Sequence, residues 1–344
     1  MKKVCVCGAF LFSDPSGVAG GGQGIKTREL AKELKRQYGN VYCIDTCGRL
    51  NKLLLFFRLF YALLICKNII ILPAHNGVLL ETQYLKCLNI LFRRGLHYVV
   101  IGGWLQDFLK GHQRTAKAIH SFDGIYVETK TMYDALQSMG YTNIQIMRNF
   151  KSLKIASEKE FPIQYTSPLR LVFFARVTEK KGLAEAVHIV NEINSGLKTP
   201  LYNFDIFGPI DEIDRDWFDQ LKLDFTCNIE YKGEVPFEKS VDVLKDYFAL
   251  LFPTKFYTEG IPGTIIDSYA AGLPVISSKW KSYSDVVDDN NTGVGYEFNN
   301  FEALKELLIE ISQKPTMISM LRKNCLKKAE DYLPQNAIVD LKLK

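Results

Sequence analysis

Short apolar runs rich in β-branched and aromatic residues alternate along the chain with longer stretches of helical periodicity. This alternation is typical of parallel α/β units. It predicts strands at residues 4–9, 41–45, 68–72, 98–101, 124–127 and 143–147 in the first half, and at 169–174, 202–207, 228–231, 249–253, 274–277 and 294–298 in the second. The pattern therefore predicts two doubly wound sheets of about five or six strands each.

A polar stretch divides the two predicted sheets. Residues 150–168 (FKSLKIASEKEFPIQYTSP) include two prolines and show no periodicity, as expected of a linker. A length of 344 residues also suits two domains. We predict an N-terminal domain at 1–155 and a C-terminal domain at 156–329, with residues 330–344 packing back on the first. A helix predicted at 317–328 is expected to be followed by a break at Pro334.

The segment from Leu50 to Lys67 (LNKLLLFFRLFYALLICK) is almost uniformly apolar, although Lys52 and Arg58 interrupt it. It is too short and too charged to span a bilayer, which needs about 20 apolar residues. Two interpretations stay open. The segment is either a helix buried between the sheet and its neighbours, or a helix on a membrane surface whose cations meet anionic lipid.

The net charge of +5 conceals an asymmetry. Residues 1–155 hold 21 Lys and Arg against 9 Asp and Glu, a net of +12, and the remainder hold 22 against 29, a net of −7. A basic N-terminal half favours an anionic partner, which is nucleic acid, acidic lipid headgroups or a phosphorylated substrate. Charge alone does not choose among these three classes.

The eight cysteines form no CxxC pair, and those at positions 5, 7, 43 and 66 lie in apolar surroundings. Reduced, buried thiols are therefore expected. The opening MKKVCVCGAFLF lacks the small-residue cleavage site of a signal peptide. We interpret it as the first strand of a cytoplasmic protein.

Three stretches carry candidate chemistry, and the first is GGGQGIKT at residues 20–27. Glycines between a strand and a helix predicted at 25–34 let backbone N–H groups approach a phosphate. The stretch could also be a dinucleotide fingerprint, with Asp45 as the ribose-binding acid. Against that interpretation, residues 10–19 form a long connection and Thr27 stands at the third glycine position. A flexible surface loop is the remaining alternative.

The second stretch, RVTEKKG at residues 176–182, follows the predicted strand LRLVFFA. Ligands bind at strand ends in open α/β sheets, and Arg176 and Lys181 suit a diphosphate, whose negative charge grows as it leaves. The alternative is a pair of solvated cations beside Glu179.

The third stretch is EGIPGTIIDSYAAGLPVI at residues 259–276. Helix-end preferences explain most of it, because the proline at 262 suits a first turn, Gly272 suits a C-cap, and Thr264 with Asp267 suits a capping box. Glu259 and Gly260 stay unexplained. An acid beside the N–H groups of a helix start suits a polyhydroxylated ligand.

Four motifs follow one another along the chain: the Gly-rich stretch, strand–R-x4-K-G, a strand followed by Lys-Gly at 232–233, and P-[ST]-x4-E-G-x-P-x4-[ED]-x-x-A-x-G-x-P-V. In this order they resemble the family 4 glycosyltransferases of bacterial surface-polysaccharide synthesis. These are retaining enzymes of the GT-B fold, an α/β architecture of two doubly wound Rossmann-like domains that face each other across a cleft. The last motif comprises Pro253, Thr254, Glu259, Gly260, Pro262, Asp267, Ala270, Gly272, Pro274 and Val275. Asn149 also stands where that family closes its N-terminal domain with an Asn.

The resemblance implies a role for each matching residue. Arg176 and Lys181 would hold the donor diphosphate and stabilise the leaving group, and Glu259 would bind hydroxyls of the donor sugar. The donor would also be bound by the backbone of Gly260, Ile261, Gly263 and Thr264, by Asp267 at the ribose, and by Gly22 and Gly24 of the first domain. No cofactor and no metal are expected, because Arg, Lys and helix amides supply the positive potential.

Two positions depart from the family pattern. Asp267 stands where Glu is usual, and Gly102, Gly103 and Trp104 replace a His near the end of the fourth strand. The five histidines fall in no motif, so we assign no catalytic base. The resemblance implies that the donor's own phosphate oxygen accepts the acceptor proton.

We therefore expect transfer of a sugar from a UDP-sugar to a glycan or a lipid-diphosphate-linked glycan, on the cytoplasmic face of the cell membrane, without nucleic acid. One alternative is an NAD-dependent oxidoreductase that uses Gly20 to Gly24 and Asp45. Another is a non-catalytic glycosyltransferase-like subunit bound to a partner enzyme. A sugar-nucleotide epimerase of the same fold is a third.

Overall fold

The computed structural model describes residues 2–12, 21–161, 165–338, 341 and 343. The chain divides into two compact units, which we call the N-terminal unit (residues 1–152 with 332–344) and the C-terminal unit (residues 153–331). The division falls inside the polar stretch 150–168, where a short turn at Glu158–Glu160 is the described element.

The N-terminal unit is built on six parallel strands in the order β2-β1-β3-β4-β5-β6. These are β1 (Lys2–Gly8), β2 (Val41–Asp45), β3 (Cys66–Ile71), β4 (Gly95–Val99), β5 (Gly124–Val127) and β6 (Ile144–Ile146). All six were predicted, but the fourth was placed three residues too late. The Gly-Leu-His start of β4 lacks a β-branched run, yet it joins the ladder because Gly95 and His97 pair with Asn68 and Ile70 of β3.

The C-terminal unit is a second parallel sheet, in the order β12-β11-β10-β7-β8-β9. Its strands are β7 (Leu169–Phe174), β8 (Tyr202–Phe207), β9 (Ile229–Gly233), β10 (Ala249–Phe252), β11 (Val275–Ser278) and β12 (Gly293–Tyr296). The predicted α/β class with two doubly wound sheets is confirmed.

Helices connect the strands in both units. Those of the N-terminal unit are α1 (Gly21–Tyr38), α2 (Arg49–Ile65), α3 (His75–Phe92), α4 (Leu105–Gly111), α5 (Gln113–Ile119) and α6 (Lys130–Ser138). Those of the C-terminal unit are α7 (Leu183–Asn194), α8 (Arg215–Leu221), α9 (Ser240–Leu244), α10 (Gly263–Ala270), α11 (Tyr283–Val286), α12 (Phe301–Gln313), α13 (Thr316–Ser319) and α14 (Arg322–Ala329). The last helix, α15 (Pro334–Ala337), belongs again to the N-terminal unit.

Two apolar layers cover the N-terminal sheet. Helices α2 to α6 pack on one face, where Leu59 and Leu85 join Cys7 and Ile69 in one core cluster. Helix α1 and the segment at α15 pack on the other face, where Leu30 and Ile338 join Val6. The C-terminal unit has its own core around β7, β8 and α7.

Two helix predictions need correction, and a third holds. The glycine run from residue 21 is not a loop, because α1 already begins at Gly21; packing of Leu30 and Leu34 outweighs the low helix propensity of glycine. The helix expected at 317–328 is two helices, α13 and α14. The predicted break at Pro334 is present, because Leu333 is extended and Pro334 opens the separate short helix α15, where the missing N–H of a first-turn proline costs no hydrogen bond.

The apolar segment predicted from Leu50 to Lys67 is helical up to Ile65, and Lys67 belongs to β3. Its inner stripe is buried, but seven large apolar side chains on the outer side are exposed: Leu50, Leu53, Leu54, Phe57, Phe60, Tyr61 and Leu64. The interpretation of a helix buried between the sheet and its neighbours is therefore wrong for half of its surface. No helix within the described ranges is long and apolar enough to cross a membrane.

All eight cysteines are free thiols. Cys5, Cys7 and Cys66 are buried, as predicted, and so is Cys325, whereas Cys43 is only half-buried. The expectation of burial is wrong for Cys87 and Cys227, which are exposed, one in each unit.

Candidate active site

The strand order of the C-terminal sheet creates a switch point between β7 and β10. From β7 the chain builds outward through β8 and β9, then returns to add β10, β11 and β12 on the other side. Connections leaving the carboxyl ends of β7 and β10 therefore run in opposite directions and leave a crevice, the usual ligand site of such sheets. Residues 175–182 follow β7, and residues 253–262 follow β10.

Lys181 and Glu259 form an ion pair between these two connections. Their side chains are 22% and 12% exposed, so the pair is sheltered but accessible to a ligand. The buried Thr254 donates a hydrogen bond from Oγ1 to Glu259 Oε1 (3.2 Å) and accepts one from the Phe256 N–H (3.1 Å). Thr254 thereby fixes one carboxylate oxygen at the end of β10.

Gly182 allows the two connections to approach each other. Its φ is +73°, and a Cβ at this position would lie 2.0 Å from the carbonyl oxygen of Pro253. The Lys255 N–H also donates to the Lys180 carbonyl (3.0 Å), and Lys255 Nζ pairs with Glu185 (2.6 Å). Gly182 and Thr254 both belong to the motifs in the sequence, but no role was assigned to either of them.

Arg176 occupies a different position from Lys181. It pairs with Asp211 of the connection after β8, with Nη1 and Oδ2 2.5 Å apart and both side chains more than 40% exposed. Such an exposed pair contributes about 0–1 kcal/mol, so an anion could replace Asp211 at little cost. The structure thus brings Lys181 to Glu259 but places Arg176 beside another carboxylate.

Helix α10 begins directly after Glu259 and Gly260. Its N-cap is Pro262, whose side chain makes no capping hydrogen bond, and Gly263 and Thr264 form the first turn behind the buried Ile261. N–H groups of a first helical turn have no acceptor within the helix, and the helix dipole adds positive potential there. This helix start is a suitable place for phosphate or sugar oxygens.

The predicted capping box is wrong. Thr264 lies inside α10, and its buried Oγ1 has no hydrogen-bond partner in the part of the chain that the structure describes. Asp267 is buried in the next turn and accepts a hydrogen bond from Ser240 Oγ of α9 (3.3 Å). Gly272 does end the helix, with φ +62°.

Gly22 and Gly24 lie in the first turn of α1, in the N-terminal unit. A Cβ on Gly24 would lie 3.2 Å from Leu11 Cδ1, whereas a Cβ on Gly22 would meet open space. Nearby, Asp45 accepts hydrogen bonds from the N–H groups of Phe10 and Cys47 (both 3.0 Å), and Phe12 donates a third (3.1 Å). Because the Asp45 carboxylate already accepts these three hydrogen bonds, it has little capacity left to accept hydrogen bonds from ribose hydroxyls.

Comparison with known sequences decides the family. The profile described as glycosyl transferases, group 1, matches residues 156–331, about half of the chain. The chain belongs to this family. The matched residues include the whole β7–β10 crevice.

Curated relatives of this group 1 glycosyltransferase are named for polysaccharide synthesis. WcaL of Salmonella typhimurium, named for colanic acid biosynthesis, is 28% identical over 174 residues, which are 49% of this chain and 42% of WcaL. AmsK of Erwinia amylovora, named for amylovoran biosynthesis, is 28% identical over 154 residues, 42% of this chain and 36% of AmsK. The matched region thus spans less than half the length of either relative.

The fold has close counterparts among solved structures. HepE of Anabaena in complex with UDP superimposes with a TM-score of 0.74, covering 98% of this chain and 97% of HepE at 12% sequence identity. The group 1 glycosyltransferase therefore has the predicted GT-B fold of two Rossmann-like domains.

The N-terminal unit of the glycosyltransferase keeps a buried ion pair at the carboxyl edge of its own sheet. Lys26 Nζ lies 2.6 Å from Glu128 Oε1 and 3.3 Å from the Val100 carbonyl oxygen, and both side chains are at most 2% exposed. Sequence reasoning missed this pair. Lys26 and Glu128 are 102 positions apart, and no local pattern connects them.

A second buried acid lies on α3. Burial raises the pKa of Glu81 to about 8. The Cys7 thiol donates a hydrogen bond to Glu81 Oε2 (4.0 Å). Burial is the main cause that raises the pKa of Cys7, and the charge of Glu81 is the second. The hydroxyl of the buried Tyr98 has no hydrogen-bond partner among the described residues. Because its pKa is raised to about 8, Glu81 is mostly protonated at neutral pH.

Proposed function

We propose that the protein is a retaining glycosyltransferase that moves a sugar from a UDP-sugar to a hydroxyl of a glycan or lipid-linked glycan in cell-surface polysaccharide synthesis. The observation that carries the proposal is the Lys181–Glu259 pair at the β7–β10 switch point, beside the uncapped start of α10. A cation, an acid and a helix start are the groups that a sugar diphosphate requires.

On donor binding, the diphosphate would take Lys181 away from Glu259. The ammonium would then neutralise the charge that grows on the leaving diphosphate, and Glu259 would be freed to accept hydrogen bonds from sugar hydroxyls. Thr254 would keep the Glu259 carboxylate oriented during this exchange. Arg176 would add a second cation by leaving Asp211.

The transfer step needs no protein base in this proposal. The bond between the anomeric carbon and the diphosphate oxygen breaks while the acceptor oxygen bonds to the same face of the sugar. The acceptor proton passes to an oxygen of the departing diphosphate. Lys181, Arg176 and the amides of α10 would stabilise that diphosphate without a metal ion.

Uridine is proposed as the base because HepE, a structural counterpart, was solved with UDP. Contact of Asp267 with the ribose remains a prediction, and Asp267 must then share its carboxylate with Ser240. Closure of Gly22 and Gly24 over the diphosphate also remains a prediction.

The acceptor is proposed to bind the N-terminal unit. Residues 1–155 carry the net charge of +12, which suits an acceptor linked to lipid diphosphate. Such an acceptor is anchored in a membrane, so the enzyme would work at an anionic bilayer surface. The names of WcaL and AmsK support surface polysaccharides as the product class.

The test measures sugar transfer from a panel of nucleotide sugars, chosen by thermal shift, to lipid-linked glycans. We expect Glu259→Ala and Lys181→Ala each to lower kcat/KM by about 100-fold or more. Lys305→Ala is the matched control, because Lys305 is similarly exposed (23%) and forms an ion pair with Glu192 in the same unit, outside the connections that follow β7 and β10. Unchanged turnover in Glu259→Ala would refute the site assignment. Failure of the wild type to bind any nucleotide sugar would favour a non-catalytic subunit.

A further inference from the structure

The outer side of α2 is an apolar surface with no assigned function. Phe57 is 76% exposed, and Leu53 and Leu50 are 69% and 67% exposed. The exposed residues 50, 53, 54, 57, 60, 61 and 64 recur every three or four positions, so they form one stripe along the helix. Contiguous exposed apolar patches of this kind mark interaction sites in soluble proteins.

The end of α3 extends this stripe. Ile90 and Leu91 are 73% and 79% exposed there. Contacts between the two helices include an edge-to-face pair of Phe60 and Phe92 at 5.7 Å. Tyr84 also donates to the Phe56 carbonyl (2.8 Å), and Arg94, just after α3, donates to the Leu63 carbonyl (2.8 Å). We call the combined surface the α2–α3 apolar face.

The charges around this face have one sign. From residue 46 to residue 106 the chain has seven Lys and Arg but a single acid, Glu81. Glu81 is buried and protonated at neutral pH, whereas Lys52, Lys67 and Arg93 are exposed at the ends of the two helices. Among the described side chains of residues 46–106, the exposed charges are therefore all cations.

We propose that the α2–α3 apolar face docks on a bilayer that contains anionic lipid, with α2 lying in the plane of the interface. Helix α2 is about 25 Å long by its rise per residue, so it suits lying along the surface better than crossing it. Leu and Phe side chains would enter the acyl boundary, while Lys52, Lys67 and Arg93 would meet lipid phosphates.

The observations favour a bilayer over a protein partner. A protein interface usually combines an apolar centre with a rim of both charge signs and specific hydrogen bonds. Helices α2 and α3 carry no exposed acid, and Lys52, Lys67 and Arg93 are exposed cations in or next to their ends. Docking complements the lipid-linked acceptor proposed above, but its test uses no donor sugar, so each proposal can fail alone.

The test measures co-sedimentation of the full chain with vesicles of phosphatidylcholine alone or mixed with phosphatidylglycerol. We expect binding to the mixed vesicles at low salt, and at least about tenfold weaker binding to phosphatidylcholine or at high salt. The double variant Leu53→Gln/Phe57→Gln should also bind at least about tenfold more weakly. The matched control, Ile213→Gln/Leu223→Gln, changes residues 90% and 78% exposed in the C-terminal unit and should bind as wild type does.

A second measurement follows insertion directly. Tryptophan emission of Phe57→Trp should shift to the blue with anionic vesicles, whereas that of Ile213→Trp should not. Absence of wild-type binding, or equal binding by Leu53→Gln/Phe57→Gln, overturns the proposal. A wild-type dimer that ignores vesicles and becomes monomeric in that double variant also overturns it, because the occupant is then a second copy of the chain.

Discussion

The two units share one sheet architecture but use charge in opposite ways at the carboxyl edges of their strands. In the C-terminal unit the pair Lys181–Glu259 is accessible and held by flanking loops. In the N-terminal unit the pair Lys26–Glu128 is buried, so a ligand does not reach it. A parallel sheet with a switch point therefore offers a site, but the exposure of its charges decides whether chemistry is available there.

The largest expected effect is on the free energy of unfolding, where variants of the buried pair and of the accessible pair should differ. Lys26→Met should lower the free energy of unfolding by about 3–5 kcal/mol, because it leaves Glu128 buried without its cation. Lys181→Met should cost about 1 kcal/mol or less, since water reaches Glu259. Urea denaturation measures both. The double variant Lys26→Met/Glu128→Leu should recover most of the loss, and equal losses in Lys26→Met and Lys181→Met would contradict the comparison.

The next effect concerns the close approach that holds the accessible pair in place. Gly182→Ala should destabilise the fold by about 3 kcal/mol, because it combines a left-handed φ with a clash against the Pro253 carbonyl oxygen. Gly196 shares the φ of +73° but has open space around it, so Gly196→Ala should cost about 1 kcal/mol. A difference near zero in denaturation midpoints would show that the loops can separate freely.

The buried acid of the N-terminal unit should make stability depend on pH. Because burial raises the pKa of folded Glu81 from 4.5 to about 8, the unfolded chain ionises first as pH rises. The contribution of Glu81 to the free energy of unfolding is complete below pH 4.5. It is lost progressively up to pH 8, by on the order of 1 kcal/mol per pH unit. Glu81→Gln should remove this slope. Unfolding curves of wild type and variant at pH 5.5, 6.5 and 7.5 give the difference, and parallel trends would rule the shift out.

The smallest effect concerns the orientation of the accessible acid. Thr254→Val should lower kcat/KM for transfer by about tenfold, because Glu259 loses one hydrogen bond while its charge remains. Thr254→Ser keeps the hydroxyl and should restore the rate. If Val and Ser variants fall equally, packing of the methyl group and not the hydrogen bond is what matters.

Sequence alone predicted the strands well because a buried parallel strand must be apolar and β-branched. It predicted less well where tertiary contacts override local preference, as in the helical glycines of α1. The exposure of Phe57 and Leu53 had no local signal, because α2 is apolar on both its inner and outer sides.

The site was partly predictable for a similar reason. Glu259 stands out because helix capping does not explain it, and Lys181 because it is a cation just after a strand end; the structure brings the two together. Their supports could not be predicted, since Gly182 meets Pro253 only through the pairing of β7 with β10. Long-range pairs such as Lys26 with Glu128 need the fold itself.

The two exposed thiols would allow any change in the distance between the two units to be measured without engineering. Cys87 on α3 and Cys227 before β9 belong to different units, whereas the other cysteines are buried or half-buried. Thiol-specific spin labels should therefore modify this pair first in the wild-type chain. Pulsed electron resonance would then give one interdomain distance with and without nucleotide, in the natural sequence.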